Sequence, residues 1–140
     1  MPLVRISLPA GKAAGYVSEI SNQVYQAMRE TLNIPEGDRF QVITEHSNAT
    51  LVADPSFMGI SRTADFVLIQ IFLSRGRTTE TKQALYRTVA LRLATSPGIR
   101  PEDVMILLTE VGLDDWSFGR GEAQYVLNPP AWAKKEKISA

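Results

Sequence analysis

The two halves of this chain echo each other at an offset of 65 residues. Ile34-Pro35-Glu36-Gly37-Asp38 is answered by Ile99-Arg100-Pro101-Glu102-Asp103. Thr44-Glu45 maps onto Thr109-Glu110, Gly11-Lys12 onto Gly76-Arg77, and Leu3 and Ile6 onto Leu68 and Ile71. The matches keep one order of elements, which is the mark of a repeated unit. Each unit reads strand, helix, strand. In the first, a strand over about Leu3–Leu8 leads to a helix over about Ala13–Leu32, with Val17, Ile20, Val24, Ala27 and Met28 at helical spacing. Pro35 and Gly37 end that helix, and a strand follows over about Arg39–Glu45. In the second, a near-continuous apolar strand, Phe66–Ser74, precedes a helix capped by Thr78 or Thr79 and running to about Ala94. Ser96-Pro97-Gly98 stops it, and Val104–Val111 is the last long strand.

Strand–helix–strand units with crossovers of this length pair their strands in parallel through right-handed connections. Two of them predict an α/β, two-layer (α+β) fold. A four-stranded mixed sheet carries both helices on one face. One domain is expected over 1–140, with repeats at about 2–46 and 66–111 and a tail over 112–140. Val67–Leu73 and Met105–Leu108 are too apolar for a solvated sheet face, so the bare face implies oligomerisation. The tail segment Trp116-Ser117-Phe118-Gly119-Arg120-Gly121 is too short and glycine-rich for a helix. Lys134-Lys135-Glu136-Lys137 reads as a solvated, frayed end.

Composition narrows the chemistry. Lys plus Arg and Asp plus Glu number 15 each, which gives no support to a nucleic-acid or membrane-surface partner. There is no cysteine, so disulfides, thiolate nucleophiles and cysteine metal sites are excluded. One histidine cannot build a multi-histidine metal site, and no clustered Asp/Glu motif suggests another. No apolar run approaches the ~18 residues of a membrane span. Gly11 and Lys12 interrupt any signal-peptide core, so a cytoplasmic protein without cofactor or metal is expected.

Pro2 follows Met1 directly. Processing of an initiator Met before a small residue would leave a secondary amine at the start of the first strand. An α-amino group titrates near pH ~7.7–8.0 and can act as general acid or base. Taken alone, Pro2 reads better as a strand-initiating proline whose missing N–H costs nothing. Ser74-Arg75-Gly76-Arg77 lies where an apolar strand yields to a helix, and two guanidinium forks there make an anion site. Pro2 opens its strand while the arginines follow the end of theirs. They meet in one subunit only if those strands run oppositely, as a pseudo-two-fold relation would give. Asp38 precedes the second strand, where a carboxylate could orient an ammonium or activate water. Trp116 and Phe118 could wall a small apolar pocket. His46, Asp114 and Asp115 read as structural or solvated residues.

Together these residues resemble the tautomerase superfamily, in which an N-terminal proline precedes a βαβ repeat. The closer resemblance is to its malonate semialdehyde decarboxylase branch, over Pro2 to about Tyr125. It rests on Pro2-Leu3, Gly37-Asp38-Arg39-Phe40-Gln41, Arg75-Gly76-Arg77 and Asp115–Gly121. The resemblance implies catalytic roles for Pro2, Asp38, Arg75 and Arg77, substrate binding by Arg75, Arg77, Trp116 and Phe118, and a homotrimer. The central loop Leu51–Thr63 looks more like generic long tautomerases, and Gly76 loosens the turn between the arginines. The first helix lacks the histidine of the haloacrylate dehalogenase branch.

Three functions follow. A decarboxylase would take a small 3-oxo acid such as malonate semialdehyde, with protonated Pro2 and one arginine stabilising the enolate; an imine on neutral Pro2 is the competing route. A keto–enol tautomerase of phenylpyruvate or 2-hydroxymuconate type would need Pro2 as a base, its pKa lowered by the arginines. A non-catalytic ligand-binding or oligomerisation module is the third.

Overall fold

The computed structural model describes residues 2–133. Met1 and the Lys134–Lys137 run lie outside the described residues. The elements are β1 (Leu3–Pro9), α1 (Tyr16–Leu32), β2 (Gln41–His46), β3 (Val67–Ser74), α2 (Thr79–Thr95), β4 (Val104–Val111) and a short α3 (Gln124–Leu127). Short 3₁₀ turns occupy Phe57–Gly59, Pro101–Asp103 and Leu113–Asp115.

The strands form one sheet in the order β2-β1-β3-β4. β1 and β2 are parallel, as are β3 and β4, while β1 and β3 run antiparallel. Each repeat therefore makes its own parallel pair, and the two pairs join back to back. This is the mixed sheet expected from the repeat.

Alternation sorts the strand residues between the faces. Val4, Ile6 and Leu8 of β1 and Val67, Ile69, Ile71 and Leu73 of β3 are fully buried against Ile20, Val24, Ala27 and Met28 of α1 and Leu85, Val89 and Leu93 of α2. The register puts Leu3, Arg5 and Ser7 on the opposite face with Phe72, Gln70 and Leu68. Val42, Met105 and Leu107 flank them and are 47%, 48% and 49% exposed. That face is apolar but carries Arg5 and Gln70 at its centre.

α1 begins at Tyr16 rather than near Ala13. Gly15 sits just before it at φ 87°, a left-handed conformation that breaks the helix despite the alanines behind it. Asn33 closes α1 in the same region at φ 54°. Thr78 caps α2, its hydroxyl oxygen accepting from Thr81 N at 3.1 Å. Thr63 ties the central loop to the second repeat. Its backbone N–H and hydroxyl donate to the fully buried Asp103 carboxylate at 2.7 and 2.6 Å. No helix among the described residues is long and apolar enough to cross a membrane.

Candidate active site

The antiparallel β1–β3 pairing pairs Leu3 with Phe72, so the start of β1 lies beside the end of β3. The parallel β1–β2 pairing sets Val4 against Gln41, and Val4 N donates to Phe40 O at 3.0 Å. The turn entering β2 and the turn leaving β3 therefore flank the start of β1. Pro2, Asp38 and Arg75–Arg77 share this end of the sheet.

Asp38 rides on a turn closed by its own N–H donating to Pro35 O at 3.2 Å. Tyr25 on α1 braces that turn. Its hydroxyl accepts from Gly37 N at 3.1 Å, and the Arg39 guanidinium lies 4.8 Å from its ring centroid. Across the sheet end, Arg75 N donates to Val111 O at 3.1 Å, so β4 pins the turn after β3. Gly76 takes φ 121°, which an L side chain rarely adopts. Arg77, half-buried, folds back so that Nη1 donates to Ser74 O at 2.8 Å. Arg75 is exposed.

These groups border a cleft of about 520 Å³. Leu32, Asn33, Ile34 and Pro35 from the end of α1 supply one wall, Asp38 and Arg75–Arg77 another. Tyr125, Pro130 and Trp132 of the tail close the rim. Another pocket, of about 360 Å³, opens beside the loop carrying Ser47–Pro55 and Arg62–Phe66. Its one guanidinium, Arg62, is committed to the carbonyls of Asp54, Phe57 and Ile60, so the chemistry belongs to the first.

Pro2 is buried and is not among the residues that line this cleft. Trp116 and Phe118 do not line it either. They stack at 5.5 Å between centroids, and Phe118 meets Tyr125 edge-on at 4.8 Å, which in turn meets Trp132 at 6.4 Å. The two expected wall aromatics stack beside Tyr125, which together with Trp132 borders the cleft. The Gln124 side chain builds this arrangement. Its Oε1 accepts from Phe118 N at 2.9 Å and its Nε2 donates to Gly119 O at 2.8 Å, clamping the glycine-rich turn onto α3. The sequence signal for Tyr125 and Trp132 was only that aromatics continue beyond the Trp-Ser-Phe-Gly segment. Asp114 and Asp115 are exposed, as expected, but Asp115 also accepts from Gly112 N at 2.7 Å.

Burial dominates the electrostatics. It pushes the Asp38 carboxyl up, while the Arg77 guanidinium pulls it down. Burial lowers the Arg77 guanidinium, opposed by Tyr125, Glu110 and Asp38. Tyr125 is raised by burial and then by Asp38, with Arg77 opposing. The cleft thus brings together a carboxyl, a guanidinium and a phenol that feel one another's charge. Such a set can hold a small anion and stabilise negative charge that develops on it. No group of three or more metal-ligating side chains stands together among the described residues.

The comparisons with known proteins agree with this geometry. A family profile described as tautomerase enzyme matches residues 38–119, and a second of the same description matches residues 2–59. The chain belongs to the tautomerase family and is an enzyme of that superfamily. It is 40% identical over 126 residues to the probable tautomerase YusQ of Bacillus subtilis (strain 168), covering 90% of this chain and 99% of that protein. Within the superfamily its likeness is to the malonate semialdehyde decarboxylase branch. The structure of FG41 malonate semialdehyde decarboxylase inhibited by 3-bromopropiolate superposes with a TM-score of 0.86 at 38% identity, over 92% of this chain and 98% of that one. A fused 4-OT described as a wild-type symmetric trimer shares the fold at a TM-score of 0.75 and 19% identity, over 90% of this chain and 98% of that one.

Proposed function

We propose that the chain is a malonate semialdehyde decarboxylase-like lyase acting on a small 3-oxo acid. The observation that carries this reading is the pair Arg75 and Arg77 on the wall of a cleft that also holds Asp38. The 38% identity with a decarboxylase over nearly the whole chain supports it. A 3-oxo acid offers a carboxylate and a carbonyl oxygen, and each needs a cationic partner.

Arg75, exposed at the mouth, takes the carboxylate in a bidentate grip. Arg77, held in place, faces the carbonyl oxygen. The bond to the carboxylate carbon breaks, carbon dioxide leaves, and the electron pair moves onto the carbonyl oxygen as an enolate. Arg77 and the Pro2 ammonium stabilise that charge. Pro2 then delivers its proton to carbon, giving the aldehyde. Asp38 keeps Pro2 protonated, because a nearby carboxylate favours the cation. This chemistry requires Met1 to be removed, since otherwise the proline nitrogen is an amide. The reading includes a homotrimer built over the bare apolar sheet face, a small carboxylate substrate and a cytoplasmic setting.

The second reading is a keto–enol tautomerase, favoured by the name of the Bacillus subtilis relative. It needs neutral Pro2 as base. Family membership removes the reading as a non-catalytic module.

Intact mass, followed by paired assays on the methionine-free protein, tests the proposal. Carbon dioxide release from malonate semialdehyde should exceed ketonisation of phenylenolpyruvate by kcat/KM, and Pro2→Ala should remove most of it. Brisk ketonisation without carbon dioxide would transfer the case to the tautomerase.

A further inference from the structure

Arg75 and Arg77 are not held alike. Arg77 has a fixed acceptor in Ser74 O. Arg75 is exposed and forms no ion pair among the described residues, and its Nη1 comes to rest over Gly112. A Cβ built on Gly112 would stand 3.1 Å from Arg75 Nη1, 2.8 Å from Asp114 Oδ1 and 3.2 Å from Asp115 Oδ2. One guanidinium and two carboxylates therefore surround the volume that Gly112 leaves empty. Asp115 closes this turn by accepting from Gly112 N, and Arg75 N is bonded to Val111 O, the residue before Gly112. The base of the Arg75 side chain and the turn its tip rests on are thus fastened to the same strand end.

Gly112 has φ −83°, which any residue adopts, so the backbone does not require glycine there. What a Cβ there would displace is the side chains around it. We propose that Gly112, with Asp114 and Asp115, is the seat that sets where the Arg75 fork stands at the mouth of the cleft, making Gly112 a positioning residue for the substrate carboxylate. The proposal rests on the reading of Arg75 as the carboxylate grip. A fork that already stands over this turn, without a direct ion pair, breaks no strong bond when an anion arrives.

The atoms a new Cβ would meet are the far ends of flexible side chains, so Gly112→Ala should fold and move them instead. The test is a double-mutant cycle read by calorimetric titration of malonate into the full-length protein. Gly112→Ala should weaken malonate binding on the order of tenfold. Arg75→Ala should weaken it further, and Gly112→Ala should add nothing in the Arg75→Ala background. Malonate binding unchanged by Arg75→Ala would remove the functional reading itself, and the seat with it. A loss in Arg75→Ala, but with Gly112→Ala silent or equally harmful in both backgrounds, would overturn the seat alone. The Nε–Hε resonance of Arg75 gives a second readout. It should move in Gly112→Ala, and in Asp114→Asn where no Cβ is added at 112. A resonance that stays in place in both also overturns the proposal.

Discussion

Arg77 donates through Nη1 to the carbonyl oxygen of Ser74, 2.8 Å away at the end of its own strand. The fork is thereby divided. One nitrogen answers to the backbone, and the remaining donors are left for the cleft. A lysine has a single ammonium on a flexible stem and cannot serve both. Arg77→Lys should lower kcat/KM for malonate semialdehyde by roughly 100-fold, mostly in kcat, through loss of a desolvated charged contact. Arg75→Lys should cost less, about tenfold, mostly in KM. Steady-state kinetics of the two variants checks the order, and equal losses would mean that the two arginines have the same role.

The Asp38 carboxyl is pushed up by burial, with Arg77 opposing. Its folded-state pKa therefore lies above the unfolded value near ~4. Between those values the folded state binds more protons than the unfolded state, so stability falls as pH rises through this window. Above it, Asp38 destabilises the protein while serving the site. Asp38→Asn should raise Tm at pH 7, and the gain should shrink as pH falls through the window, while turnover drops by about 100-fold or more. Thermal melts across pH 3.5–8 together with activity assays would expose the opposite sign.

Phe118 stands between Trp116 and Tyr125, stacked on one and edge-on to the other. Aromatic pairs contribute about 0.5–1.5 kcal/mol beyond their area. Phe118→Ala should lower Tm by about 2–4 °C. It should also reduce kcat/KM roughly tenfold, by loosening Tyr125 at the cleft rim. Melting with full kinetics retained would show that the aromatic layer serves folding only.

The apolar sheet face gives a fourth test. Leu107 is 49% exposed on that face, beside Gln70 of β3. An unpaired charge buried at an interface costs several kcal/mol. Leu107→Glu should turn a particle of about three subunits into monomer at micromolar concentration, seen by light scattering. Monomeric wild type would refute the assembly outright.

Much of this was legible in the sequence because it follows from periodicity. Val104–Val111 is the expected strand to the residue, and the pseudo-two-fold relation required the antiparallel β1–β3 joint that brings Arg75 and Arg77 to the β1 start. The start of α1 was not legible, because Ala13 and Ala14 favour a helix and only the backbone angle of Gly15 breaks it. Tyr125 and Trp132 were missed for another reason. Tyr125 follows the Gln124 amide that clamps residues 118 and 119, a side-chain-to-backbone contact that leaves no periodic trace, and Trp132 meets the cleft beside Tyr125.

Asp38 and Asp103 occupy corresponding places in the two repeats, and their surroundings have made them opposites. Asp103 is fully enclosed and committed to Thr63, so its carboxylate works as a rivet between the central loop and the last strand. Asp38 borders the cleft together with Arg75 and Arg77. A scaffold with near-equal halves has thus acquired a front and a back. Sequence drift should respect that polarity: a change at 103 is judged by whether the protein still folds, a change at 38 by what it can still convert.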